Sequence, residues 1–232
     1  MGFIVLEGGA EFGGRMAVAD RQAIELAGGF DSPIRIIPAA AAPDQNHRRA
    51  GQNGVNWFQQ LGATDVSSLA LIDRQSADKP DIAKALARAR LIYLLGGFPH
   101  YLAQTLQGSR SWQALSEAHS KGAVIAGSSA GAMVLCEYYY DPATGRLCRG
   151  LDLVSGVCVL PHHDTFGKDW APAIRKMNEY IIMVGIDEQT GAINVSAPDR
   201  WRVYGKGGVT LYQPNSIRQI KGRQEFTLDN TV

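Results

Sequence analysis

Gly127-Ser128-Ser129-Ala130-Gly131 is the segment of this chain with the most chemistry in its spacing: a G-x-S-x-G sequence lying between an apolar run and a stretch of helical character. A serine on a sharp strand-to-helix turn forms a nucleophile elbow. Small neighbours let the backbone turn tightly, and the strained turn holds the hydroxyl out over the sheet. A helix starting near Ala130 adds its N-terminal dipole, and the Ala130 N–H can point at a developing oxyanion. A serine hydroxyl alone is a weak nucleophile, so Ser129 needs a base within hydrogen-bond reach. Five histidines are available. His47 and His100 belong to earlier strand–helix units, and His119 reads as a solvated residue at the polar end of a helix. His162, in Pro161-His162-His163-Asp164, comes directly after the strand-like run 157–160. Loops that follow parallel strands gather at one sheet edge, which lets His162 meet Ser129 despite their separation in sequence.

An acid should complete the set. Glu137, eight residues past Ser129 on the expected elbow helix, leads because two helical turns would bring its carboxylate beside the imidazole. Asp141, Asp164, Asp187 and Glu188 compete with it. Leu95-Gly96-Gly97-Phe98-Pro99 ends another strand-like run at the same edge, and the N–H of Gly97 or Phe98 would be a second oxyanion donor opposite Ala130. Glu7-Gly8-Gly9-Ala10-Glu11-Phe12-Gly13-Gly14 invites a phosphate-loop reading. It fails in detail, because Arg15-Met16 stand where that loop needs Lys and Ser or Thr, and no G-x-G-x-x-G is present. A metal site built from His162, His163 and Asp164 lacks an evident further ligand. Neither a metal nor a cofactor is expected.

The elements that must position these residues follow from periodicity. Runs 3–6, 34–37, 68–72, 91–95 and 123–126 read as buried strands, and segments 16–27, 44–61, 77–89, 99–106 and 111–120 as helices between them. Such alternation predicts an α/β fold with a mostly parallel sheet flanked by helices on both faces. The last third differs. Segments 191–195, 202–204, 209–212 and 225–228 are short and β-like, and Lys206-Gly207-Gly208 signals a hairpin, so antiparallel additions at one sheet edge are expected. No linker or repeat divides residues 1–232, and a single domain is the simplest reading.

Composition excludes other classes. Lys plus Arg comes to 23 and Asp plus Glu to 22, a net charge of +1 that offers nucleic acid no global attraction. With 45% apolar and 19% charged residues the chain suits a packed globule. The longest apolar stretch, residues 123–136, falls short of the roughly 20 residues of a spanning helix, and the N-terminus lacks the pattern of a secretory leader. Cys136, Cys148 and Cys158 have no C-x-x-C spacing, which argues against a disulfide framework or zinc and for a reducing cytoplasm. Edge strands in the last third would allow a homodimer without requiring one.

The ordered set Gly8-Gly9-Ala10-Glu11, Gly96-Gly97, Gly127-Ser128-Ser129-Ala130-Gly131-Ala132, Gly150-Leu151-Asp152-Leu153, Pro161-His162 and Gly185-Ile186-Asp187-Glu188 resembles peptidase family S51, the family of dipeptidase E and cyanophycinase. That resemblance implies the class I glutamine amidotransferase-like (flavodoxin-like) fold, with Ser129 as nucleophile, His162 as base, and Gly97 and Ala130 as oxyanion donors. It implies a serine peptidase acting on small peptides, aspartyl or β-aspartyl ones among them. His163 stands where the family usually has Phe or Tyr, and Phe98-Pro99-His100 replaces the usual polar or small residues after the glycine pair. Phe98, His163 and Asp164 are therefore the expected substrate contacts, in a pocket that departs from the family pattern. Glutaminase activity is disfavoured, because those enzymes carry cysteine at this elbow. Two other readings stay open: a non-catalytic ligand-binding protein of the same fold, and an esterase of the α/β-hydrolase type.

Overall fold

The structure is a computed structural model and describes residues 1–195 and 200–228. In chain order its strands are β1 (Ile4–Glu7), β2 (Ile34–Ile37), β3 (Val66–Ser68), β4 (Leu91–Leu94), β5 (Val124–Ser128), β6 (Cys136–Asp141), β7 (Arg146–Arg149), β8 (Val154–Leu160), β9 (Ile182–Ile186), β10 (Thr190–Asn194), β11 (Arg200–Gly205), β12 (Gly208–Gln213), β13 (Ser216–Lys221) and β14 (Glu225–Thr227). They form two sheets. The first runs β3-β2-β4-β5-β1-β10-β11-β14, and its members β1 to β5 are mutually parallel. Strands β10, β11 and β14 extend it antiparallel, as the sequence leads one to expect.

Strands β1, β4 and β5 are buried along their whole length. Helices and a second sheet cover both faces, so these strands read as continuous apolar runs instead of alternating ones. One face packs Val5, Tyr93 and Ala126 against Ile24 and Phe58 of two helices. The other packs Leu6, Ile92 and Ile125 with Leu102 and Leu115, in a cluster that continues into Val157, Val159 and Val184 of the second sheet.

The second sheet, β7-β6-β8-β9-β12-β13, corrects the expectation of one sheet with a β-rich edge. Strands β6, β8 and β9 are parallel, and β7, β12 and β13 are antiparallel additions. Lys206-Gly207 accordingly is no hairpin turn. It carries the chain from β11 in the first sheet to β12 in the second, because β12 pairs with β9 and β13. Residues 68–72 are likewise not one strand. Pairing stops at Ser68, and Asp73 caps a short helix through a capping box with Ser76 (Ser76 N–H to Asp73 Oδ1 2.7 Å), which turns the chain away. Among the described residues no helix is long and apolar enough to cross a membrane.

Candidate active site

Residue 129 sits where β5 ends and the buried helix Ala130–Leu135 begins, with φ 49° and ψ −112°. That conformation is strained for a residue with a β-carbon, at a cost on the order of 1–3 kcal/mol. Its surroundings hold it there. The Ser129 N–H donates to the Glu7 carbonyl at the end of β1 (3.0 Å), and the Ser129 carbonyl accepts from Met133 (3.0 Å). A β-carbon on Gly127 would collide with the Gly131 backbone, and one on Gly131 with the Leu94 carbonyl, so both glycines of the elbow are demanded by close backbone approach.

His162 lies in the loop after β8, also at positive φ (49°), and its N–H donates to the Gly8 carbonyl at 2.6 Å. Its Nε2 is 3.1 Å from Ser129 Oγ and its Nδ1 is 2.8 Å from Glu188 Oε1. The imidazole is clamped. The Phe166 ring stacks on it at 5.0 Å and 21°, and a side chain on Gly9 would occupy the ring's own place. The glycine-rich loop after β1 is thus a seat for an imidazole, which accounts for its failure to match a phosphate loop. Glu188 stands in the turn between β9 and β10, where the chain crosses from the second sheet to the first. Asp164 Oδ1 accepts the Glu188 N–H at 2.9 Å.

The carboxylate on the imidazole is therefore Glu188, a competitor in the sequence reading, and not Glu137. The elbow helix stops at Leu135, and Glu137 belongs to β6, whose Tyr138-Tyr139-Tyr140 run favours strand. Its carboxylate pairs with Arg149 and accepts the Gly156 N–H at 2.7 Å, away from the imidazole. Asp141 caps the β6–β7 turn through Ala143 N–H and the Thr144 hydroxyl. His163 faces the opposite way from His162. It is 7% exposed, with the Tyr212 hydroxyl 2.8 Å from Nε2 and Asp187 Oδ1 3.5 Å from Nδ1, so it braces the interior and offers no surface to a substrate. Asp164 is engaged with the Glu188 backbone, a positioning contact. Burial raises the Asp187 carboxyl, but hydrogen bonds from His163 and the Gly208 N–H outweigh it and hold the group below the ordinary carboxylate range.

Phe98 is 47% exposed at the mouth of the glycine-pair loop, but its N–H is committed to the Ala40 carbonyl at 2.9 Å. Ala130, as the first residue of its helix, has no acceptor within that helix for its N–H. Glu11, quoted in the sequence only as part of a motif, reaches into the same region. Its Oε2 accepts from Ser128 Oγ at 2.8 Å and its Oε1 from Gly96 N–H at 3.4 Å. Two features had no sequence signal. Phe166 finds the imidazole only through the fold. Glu7 and Asp20 are fully buried beneath the elbow, with Tyr93 donating to Glu7 and Trp57 Nε1 to Asp20 at 2.8 Å. Burial above all pushes both carboxyls up, Asp20 to about 7, and the two lie close enough to interact with each other. His119, expected in solvent, is 4% exposed, and desolvation lowers its basicity.

The sequence profile of peptidase family S51 matches residues 4–196 of this chain. The chain belongs to peptidase family S51. As an S51 member it is a serine-type peptidase, a hydrolase. Among its relatives, a cyanophycinase of Synechococcus elongatus is 29% identical over 232 aligned positions, which cover 93% of this chain and 69% of that protein. A cyanophycinase of Geminocystis herdmanii is 26% identical over 197 positions, 80% of this chain and 71% of the other. A crystal structure of a peptidase from an acI-B1 Actinobacterium superposes with a TM-score of 0.88 at 29% identity, covering 98% of this chain and 97% of that one. A putative peptidase E protein from Listeria monocytogenes, at 16% identity and a TM-score of 0.62, covers 95% and 98% and shares the fold. The S51 chain thus has the fold expected from its motifs, with a second sheet that the motifs did not announce.

Proposed function

We propose that this S51 peptidase hydrolyses small peptides, aspartyl or β-aspartyl ones among them, through an acyl-enzyme on Ser129. One observation carries the reading: an unbroken chain of contacts from Ser129 Oγ to His162 Nε2 (3.1 Å) and from His162 Nδ1 to Glu188 Oε1 (2.8 Å). With the imidazole proton on Nδ1 and donated to Glu188, Nε2 is left to take the Ser129 proton as Oγ attacks the scissile carbonyl carbon. Glu188 then stabilises the imidazolium. The tetrahedral oxyanion receives the N–H of Ala130 and that of Gly97, because Phe98 already donates elsewhere. His162 returns its proton to the leaving amine, and a water, deprotonated by the same nitrogen, releases the acid. The Phe166 and Gly9 clamp keeps the ring in the plane this exchange needs. Cys136, Cys148 and Cys158 are free thiols, which suits a cytoplasmic enzyme.

The test is a library of dipeptides and isoaspartyl peptides screened against the wild type and Ser129→Ala, with a fluorophosphonate probe alongside. Turnover should fall by several orders of magnitude in Ser129→Ala, with probe labelling confined to Ser129. Full hydrolysis of every cleaved substrate by that variant ends the assignment.

A further inference from the structure

Phe166 is 48% exposed, although it is apolar and stacks on the imidazole of the candidate site. One side of its ring is taken up by His162, 5.0 Å away and 21° from parallel, and Trp170 meets it at 5.6 Å. Tyr140 packs on Trp170 in turn, at 5.3 Å. Strand β6 runs parallel to β8, so Tyr140, one residue from the end of β6, lies toward the sheet edge that carries His162. A ledge of aromatic rings thus leads from the imidazole to the turn between β6 and β7.

The backbone fixes this ledge before any ligand arrives. The N–H groups of Thr165, Phe166 and Gly167 all donate to the His162 carbonyl at 3.0 Å, and a β-carbon on Gly167 would collide with the Pro161 carbonyl. The turn is therefore tied to the residue whose side chain its phenylalanine covers. Trp170 and Tyr140 are anchored on the buried side chains of Cys158, Leu160, Ala171 and Ile174. Clamping an imidazole needs one apolar face only, and an aliphatic side chain supplies that face with less apolar surface left in water. Half of a phenylalanine kept exposed forgoes the free energy of its burial, which an apolar group of a ligand would recover.

We propose that Phe166, with Trp170 beside it, is the subsite for the side chain of the leaving residue, and that it selects peptides whose leaving residue is aromatic or bulky and apolar. This rests on the peptidase reading above and adds to it the substrate class on the leaving side. His162 passes its proton from Nε2 to the leaving nitrogen as the bond from that nitrogen to the acyl carbon breaks, so the nitrogen must come within about 3 Å of Nε2. The side chain of the residue that owns this nitrogen starts two bonds further on, within reach of the ring stacked on the imidazole. The acyl residue is held elsewhere, by Ser129 and the N–H groups of Gly97 and Ala130. Ring-on-ring contact at the ledge favours an aromatic leaving residue beyond the area it buries.

The experiment uses peptides that share an acyl residue the wild type cleaves and differ in the leaving residue: phenylalanine, leucine, alanine or lysine. The kcat/KM of each is measured for the wild type, Phe166→Ala and Trp170→Leu, with fluorophosphonate labelling of Ser129 in parallel. The wild type should favour phenylalanine over alanine by about 10- to 100-fold, with leucine between them. Phe166→Ala loses part of the imidazole clamp and should slow every peptide, but it should also bring the phenylalanine-to-alanine ratio to near 1. Trp170→Leu, one ring further from the imidazole, should lower the ratio in part, and it carries the comparison where Phe166→Ala no longer labels. A ratio left intact in both variants would make Phe166 a clamp only and overturn the proposal. A wild type that labels yet favours phenylalanine and leucine no more than alanine, or favours lysine over both, overturns it without any variant. Absence of labelling in the wild type removes the peptidase reading and the subsite with it.

Discussion

Two adjacent histidines and two adjacent acids form two pairs that face opposite ways. His162 and Glu188 meet at 2.8 Å on the open side, where Ser129 completes the chain; His163 and Asp187 meet at 3.5 Å on the inner side, with Tyr212 and the Gly208 N–H as their further partners. Exposure separates them: the His162 side chain is 20% exposed and that of His163 9%. Both pairs join the loop after β8 to the turn after β9. The same residue types one position apart therefore do different work, because each pair meets a different partner: the Ser129 hydroxyl on the open side and the Tyr212 hydroxyl on the inner one. The inner pair ties the crossing between the two sheets together, and the outer pair borrows that rigidity.

The comparison is broken most severely by acting on the outer pair. Glu188→Gln, which keeps the shape and loses the charge, should lower kcat by about 10²- to 10⁴-fold with thermal unfolding almost unchanged, as steady-state kinetics and calorimetry on one preparation would show. A variant that retains full turnover would remove Glu188 from the chemistry. On the inner pair, Asp187→Asn should do the reverse: a stability loss of about 1–3 kcal/mol in urea titration, and a much smaller fall in kcat. The sign with pH is set by the lowered carboxyl of Asp187. Its stabilisation is present above the unfolded value near 4 and is lost as pH falls through the folded one, so the gap between wild type and variant should close in acid.

The ground beneath the elbow offers a subtler contrast. Asp20, raised to about 7, is neutral in both states below the unfolded value near 4, so its part of the stability is intact there and is lost as pH rises through 7. Asp20→Asn should flatten that decline, read as the melting temperature at pH 5 against pH 8. A decline of equal slope in the variant would place its origin elsewhere. The smallest effect belongs to Glu137→Gln. Activity should stay within about twofold and stability within about 1 kcal/mol, since the ion pair with Arg149 is exposed on the arginine side. A loss of turnover comparable to that of Glu188→Gln would reinstate Glu137.

Much of the site is legible locally. The elbow glycines are demanded by contacts within a few residues or with the adjoining strand, so Gly127-Ser128-Ser129-Ala130-Gly131 announces its own geometry. His162 is legible because a histidine directly after a strand has one edge to occupy. The acid was not legible. Helical spacing favoured Glu137, but the tyrosine run pulls that residue into β6, and Glu188 is brought in by a crossing between sheets. The parallel strands β1 to β5 are read from unbroken apolar runs. The split of the later strands into two sheets leaves no mark, because a half-buried strand has the same alternation whichever sheet it joins.

By itself the sequence determined the alternation of strand and helix, the strained serine turn and the imidazole that must serve it, since each depends on bonds and contacts short in sequence or on a rule of chain topology. Only the tertiary structure decided which carboxylate meets that imidazole, which of two neighbouring histidines turns inward, and what the first glycine loop is for. Those choices depend on backbone from β1, β8 and β9 arriving within hydrogen-bond distance of one another, and the packing of two sheets sets that distance.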